Sequence, residues 1–351
     1  MTTSEFGDRD DPHAQARSAR NAPLLLHSLT LFSEVIGRIF AAARPATVVE
    51  VGVESGGASS IYLDHGANEV YCIEPTPTEQ MRTTLAQNAN LHLVEGFSPE
   101  VLGDLPLGDV YILDGDHNYA TVRGEVDWIL AKAPDAIVIL HDVLWPCGRR
   151  DQYYNADAIE AGGVHEHGDD GATVWHDDVT PAGFVGQGHF TVAVEAGGER
   201  NGVLTAVEDS LAAQAPGTHE FALIPAIFGL GIIYPTGDAD QTDRLRTALE
   251  PYRDSPLLAA MENNRIALYT RVLTMQYEMA AAAVNRDELV HQLDRQRDGH
   301  HREIAELERR HHNEMAALRA NPPISIRNVT RRAARKAVRG VRGVSRGRSA
   351  R

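Results

Sequence analysis

Four short stretches of this chain hold the residues best suited to chemistry. Residues 48–59 run from Val48 through Glu50 into a loop with Gly52, Gly56 and Gly57, and end at Ser59. An apolar run that breaks into glycines and then resumes reads as strand, turn and helix. Glycine takes positive φ without strain and lets backbone approach a ligand closely. The spacing is not the G-x-G-x-x-G of dinucleotide sites, which sets a nicotinamide dehydrogenase aside. Val70–Ile73 is a second apolar run, and it ends at Glu74. An acid about 20 residues after a glycine loop is placed to accept hydrogen bonds from two ribose hydroxyls. Val110–Leu113 leads into Asp114-Gly115-Asp116-His117, and Ala136–Leu140 leads into His141-Asp142. Carboxylates at neighbouring strand ends can hold a divalent cation. Histidine titrates near neutrality and can act as a general base.

These stretches need an element plan that brings them to one edge. Strands and helices alternate from 46 to 144, which predicts a parallel sheet with helices on both faces. The carboxyl ends of such strands share the ligand-binding edge. A helix over Leu24–Ala43 precedes the sheet, with Pro45 ending it. Residues 148–200 break the alternation. They are rich in Gly, His, Asp and Tyr and are expected to form a lid or substrate-binding insertion. Within it, Arg149, Arg150, Tyr153 and Tyr154 follow directly on the active edge and suit an anionic acceptor as well as plain surface solvation. His165, His167 and His176 lack the spacing of a closed zinc site. A helix over Asn201–Ala213 and a hairpin of Phe221–Ile227 with Leu230–Tyr234 complete the domain, which is assigned to 23–238.

Helical character runs from 239 to 320. Leu268, Val272, Met275, Met279, Ala282, Leu289 and Leu293 follow the 4-3 spacing of a coiled-coil seam. Ile304, Leu307, Met315 and Leu318 continue it less cleanly. Arg286, Arg297 and Gly299 interrupt it, and a single helix packed on the domain is the other reading. Self-association is expected through 264–318. Asn321-Pro322-Pro323 stops the helix, and residues 321–351 form a basic tail. Residues 1–22 are polar with mixed charge and read as disordered.

The motifs Glu-Val-Gly-Val-Glu-Ser-Gly-Gly, Ile-Glu-Pro, Leu-Asp-Gly-Asp-His-x-Tyr and Leu-His-Asp-Val, in this order, resemble those of class I S-adenosylmethionine-dependent methyltransferases. The subgroup resembled is that of the macrocin-type and catechol-type O-methyltransferases. The resemblance covers residues 24–235. It implies an α/β, Rossmann-like, mostly parallel sheet with an antiparallel C-terminal hairpin, here followed by the long helical appendage. It also implies S-adenosylmethionine as cofactor, with Glu50, Gly52, Gly56, Gly57, Glu74, Ser98 and Asp114 as its contacts. Ser98 is placed near the adenine. Catechol-type relatives hold Mg²⁺ with an Asp after the fourth strand and an Asp-Asn pair after the fifth. Here Asp114 matches the first, and His141-Asp142 falls on the pair, with His in place of Asp. Asp114, His141 and Asp142 are therefore the candidate metal ligands. His117 stands where those relatives carry a base lysine. His117, His141 and Asp114 are the candidate catalytic residues, and a metal-free mechanism with a histidine base competes with the Mg²⁺ one.

Composition bounds these readings. A chain of 351 residues can bury a sizeable core. Two cysteines exclude a disulfide framework and fit a reducing compartment, so a cytoplasmic location is expected. No apolar stretch reaches the ~18 residues of a membrane span. The net charge is −16 overall, yet residues 327–351 carry +10, which leaves −26 on the rest. The acidic body disfavours nucleic acid, while the tail suits an anionic surface such as the inner membrane face. The expected function is O-methylation of a hydroxyl on a sugar, glycan or glycosylated metabolite. The alternative is a non-catalytic scaffold localised by coiled coil and tail.

Overall fold

The computed structural model describes residues 29–53, 55–160, 162–320 and 331–336, with His13, Ala16 and Arg20 singly. The expectations for residues 1–22, for the start of the first helix and for most of the basic tail fall outside these residues. Residues 331–336 form an exposed helical turn.

The alternation produces the predicted sheet. In chain order the main elements are α1 (Ser33–Ala43), β1 (Thr47–Val51), α2 (Ser59–Asp64), β2 (Glu69–Ile73), α3 (Glu79–Leu85) and β3 (Leu91–Val94). There follow β4 (Val110–Leu113), α4 (Tyr119–Lys132), β5 (Ile137–His141), and the insertion strands β6 (Gln152–Tyr153), β7 (His167–Gly168) and β8 (Thr191–Ala193). The domain continues with α5 (Val203–Ala212), β9 (His219–Ile224), β10 (Leu230–Pro235) and α6 (Ala239–Leu249), and α7 spans Pro256–Ala320. Seven strands form one sheet in the order β3-β2-β1-β4-β5-β10-β9. The first five run parallel, and β10 pairs antiparallel with both β5 and β9. This is the Rossmann-like methyltransferase order with its antiparallel hairpin.

Side-chain alternation divides the core into two layers. Val48, Val70, Ile112, Ile139 and Ile232 pack under α1, α2, α3 and α6. Val49, Tyr111, Val138 and Ile233 pack under α4 and α5. The same period sends Glu50 toward the α2 layer, where it is 1% exposed. In α1, Val35, Ile36, Ile39 and Phe40 recur at helical spacing and face the core. That helix ends at Arg44, which sits in the left-handed conformation and donates its N–H to Phe40. Before α1, Leu29–Phe32 forms a single 3-10 turn.

The insertion is tied down from inside. Strands β6, β8 and β7 form a small antiparallel sheet. Asp151 is fully buried and accepts from Tyr119 N at 2.7 Å, Gly202 N at 2.7 Å and the Tyr153 hydroxyl at 2.8 Å. Arg150 is also buried and donates to the carbonyls of Ala193, Val194 and Asp177. Arg149 instead pairs with Glu208 at the surface. Both guanidiniums are thus engaged by the protein itself, Arg150 in the interior and Arg149 at the surface. The contacts of Arg150 anchor the insertion.

The chain divides into two compact units, Met1–Glu278 and Met279–Arg351. In the first, the opening turns of α7 bury Glu262 and Thr270. In the second, the described helical residues are almost all exposed. Among the described residues no helix is long and apolar enough to cross a membrane.

Candidate active site

The strand order reverses direction between β1 and β4, so the loops after these strands open a crevice at the sheet's carboxyl edge. Gly52 has φ +85°, and a Cβ there would lie 2.2 Å from the Asp114 carbonyl oxygen. Only glycine lets the two loops close on each other at this point. Gly56 also has positive φ. A cavity beside them is lined by Leu29, Thr30, Glu50, Gly52, Val53, Ser55, Gly56, Gly57, Ala58 and Asp114.

The cofactor candidates play different parts in this cradle. Glu50 accepts the Ser59 hydroxyl at 2.5 Å and the Tyr62 hydroxyl at 2.9 Å. Burial raises its carboxyl to about 7. It thus fixes the start of α2 behind the loop. Glu74 is half-buried at the end of β2. Its carboxylate accepts from Val53 N at 3.3 Å and from Thr76 N at 3.1 Å. That joins the acid to the glycine loop. Ser98 lies beside Glu125 of α4, whose carboxyl burial raises to about 8.

The second constellation draws together. His141 Nδ1 lies 3.0 Å from Asp114 Oδ1 and 3.7 Å from Asp142 Oδ1. His117 Nε2 lies 3.4 Å from Asp114 Oδ1 and 3.3 Å from Asp142 Oδ2. Two strands and one helix-entry loop thus converge two acids and two imidazoles. Asn118 caps α4 by accepting from Thr121 N at 2.9 Å, which leaves His117 free of that task. Asp116 accepts from His117 N and Tyr154 N and so braces the loop against the insertion.

The two histidines differ in state. His141 Nε2 donates to the Ile227 carbonyl at 3.0 Å, and its Nδ1 faces carboxylates. Burial opposes its charge, but Asp142 and Asp114 outweigh burial and raise it to about 9. Both of its nitrogens are engaged by the protein. Burial pushes the Asp114 carboxyl up, while the His141 charge and the hydrogen bonds from both histidines hold it well below the usual range. For His117 burial likewise opposes charge, and Asp142 and Asp114 raise it. Its side chain keeps 10% exposure and meets the Tyr154 ring edge-on at 6.0 Å.

The donor set of Asp114, His141 and Asp142 offers ligand atoms within 4.8 Å of one another. Asp142 Oδ1 is buried without a hydrogen-bond partner, as an oxygen reserved for a cation would be. The Ile227 carbonyl orients the ring of His141, as metal-ligating histidines require of a neighbour. These residues therefore fit a divalent ion.

Two features escaped the sequence reading. Cys147 joins His117 and Asp142 in a second set of ligand atoms within 4.8 Å. A chain of aromatic rings also runs away from His117, through Tyr154 and Phe190 to Phe184, then to Trp145, Phe228 and Tyr269. These six residues are scattered from 145 to 269, and no local pattern marks them.

Residues 49–143 match the family model described as a methyltransferase domain. No curated protein shows significant similarity to the chain. Solved structures that resemble it include an SAH-bound methyltransferase from Podospora anserina, at 16% identity over 67% of this chain and 97% of that one, with TM-score 0.36. Another is an O-methyltransferase from Bacillus cereus in complex with SAH, at 16% identity over 36% and 62%, with TM-score 0.30. A third is precorrin-6Y C5,15-methyltransferase from Geobacter metallireducens, at 20% identity over 35% and 63%, with TM-score 0.27. The chain thus spans a little over three-fifths of the last two. The glycine loop thus lies at the carboxyl edge of a Rossmann-like seven-stranded sheet, and residues 49–143 around it are similar to a methyltransferase domain.

Proposed function

We propose that the chain is an S-adenosylmethionine-dependent O-methyltransferase acting on a hydroxyl of a sugar, glycan or glycosylated metabolite. The observation that supports it most is the convergence of Asp114, His117, His141 and Asp142 beside the Gly52 loop. The glycine loop and Glu74 would hold S-adenosylmethionine, which when bound supplies an electrophilic methyl group on a sulfonium. His117, beside the exposed Tyr154 ring, takes the acceptor's hydroxyl proton as the oxygen is methylated. Asp114, His141 and Asp142 would hold a divalent cation that orients the acceptor and lowers its hydroxyl pKa. A nitrogen ligand suits a transition ion such as Mn²⁺ better than Mg²⁺, which takes mainly oxygen. In a metal-free variant the His141 imidazolium offsets the two carboxylates.

Tyr154 supports a sugar acceptor. Its ring is 51% exposed beside His117. An exposed ring face next to a base can carry the apolar face of a sugar while the hydroxyls reach the acids.

The seam residues of α7 support self-association. Leu268, Met275, Met279, Leu289 and Leu293 are each half exposed or more. Apolar side chains at heptad spacing are stable in water when a second helix covers them.

The experiment is a calorimetric titration of S-adenosylmethionine into the full chain, with and without Mg²⁺ or Mn²⁺. A glycoside panel read by mass spectrometry for methylated product follows. Micromolar binding and a metal-dependent product support the reading. No binding in any buffer puts the scaffold alternative first.

A further inference from the structure

The β9–β10 turn is left-handed at two successive non-glycine residues, Ile227 at φ +51° and Phe228 at φ +62°. A β-branched residue at positive φ is strained, and such strain persists only where the surroundings hold it. What holds it lies in the first turns of α7. The Glu262 carboxylate is buried and accepts from Ile227 N at 2.9 Å and from Phe228 N at 2.8 Å, one oxygen to each. Arg265 completes the clasp. Its Nε and Nη2 donate to the same two oxygens at 2.7 Å, and its guanidinium sits 4.4 Å from the centre of the Phe228 ring.

The clasped turn touches the reacting cluster from two directions. The Ile227 carbonyl accepts the Nε2–H of His141. The Phe228 carbonyl accepts from Leu144 N at 2.7 Å, two residues after Asp142, which itself has φ +58°. The turn therefore fixes both the ring orientation of His141 and the backbone that aims Asp142.

We propose that Glu262 is a positioning residue for His141 and Asp142, acting through the Ile227–Phe228 turn. The first turns of α7 are then part of the active site rather than the start of an appendage. Without the carboxylate, the buried Phe228 N–H and the partly buried Ile227 N–H lose their acceptor and the left-handed pair relaxes. The Ile227 carbonyl then turns away from His141. The proposal takes from the methyltransferase reading only the importance of His141.

The test is ¹⁵N-histidine NMR on the full chain, with the His141 signal identified by its loss in His141→Gln. The wild type is expected to show a slowly exchanging Nε2–H correlation for His141. Glu262→Ala is expected to lose it, while His65, held by the Ser33 hydroxyl, keeps its signal and thermal unfolding stays cooperative. Glu262→Gln retains one good acceptor and decides the matter where the alanine variant does not fold. It is expected to speed exchange at His141 by about tenfold or more, the factor that follows from weakening one charge-assisted hydrogen bond. A His141 correlation absent from the wild type, or unchanged in both variants, overturns the proposal. S-adenosylmethionine binding is measured on the same samples. Its absence would count against the cofactor reading and leave the NMR result standing.

Discussion

The cofactor loop and the charged cluster sit at neighbouring strand ends but are built in different ways. The loop after β1 is a backbone device. Gly52 and Gly56 supply positive φ, and Gly52 leaves room for the Asp114 carbonyl. The cluster after β4 and β5 is a side-chain device, and its groups set one another's charge. Residue type alone nearly specifies the first, since few residues other than glycine fit. In the second, the same histidine could be base, ligand or structural cation. Only its partners decide.

The sharpest way to separate the two regions is to damage one and read the other. Asp114→Asn removes the carboxylate that both histidines face. Turnover should fall by about a thousandfold or more, as for loss of a preorganised charged group. S-adenosylmethionine affinity should change by no more than about threefold, since the loop is backbone-built. A calorimetric titration beside a methyl-transfer assay reads both, and full activity would remove Asp114 from the mechanism.

The next effect lies behind the loop. Burial raises Glu50 to about 7, above its unfolded value. A group so raised contributes its full share of stability below the unfolded pKa of about 4.3 and loses it as pH rises through 7, a loss on the order of 3 kcal/mol. Glu50→Gln should therefore flatten the decline in stability between pH 4.5 and 7, on the order of that loss. Urea unfolding at several pH values tests this. An unchanged slope would mean that Glu50 is already ionised within the fold.

Glu74→Ala should weaken S-adenosylmethionine binding by about 10–100-fold, the worth of charge-assisted hydrogen bonds, with little effect on the histidine cluster. Unchanged affinity would remove its ribose role. The smallest effect is expected for Arg149→Ala. Its surface pair with Glu208 is worth less than about 1 kcal/mol, and acceptor KM should not move. A large rise in KM would return Arg149 to the acceptor site.

Much of the frame was legible in the chain. Apolar runs ending in Glu74, Asp114 and His141 marked the strands and their shared edge, because a parallel sheet presents its carboxyl ends together. The predicted helix at 201–213 and the hairpin at 221–234 appear with ends displaced by at most three residues. The site was legible by half. Nothing local could show that Arg150 is buried against three carbonyls, or that Ser98 faces Glu125. Those facts depend on packing between segments tens of residues apart.

The sequence by itself determined the sheet, the glycine loop and the identity of the acids and imidazoles at its edge. Periodicity and glycine geometry are local properties, and they act before distant segments meet. Tertiary structure alone decided what those groups do. It placed Ile227 against one nitrogen of His141 and two carboxylates against the other. It set the buried His117 beside the exposed ring of Tyr154, and it brought Glu262 of α7 to the turn whose Ile227 carbonyl meets His141. Charge state and orientation depend on every neighbour within a few ångströms, and the fold chooses those neighbours.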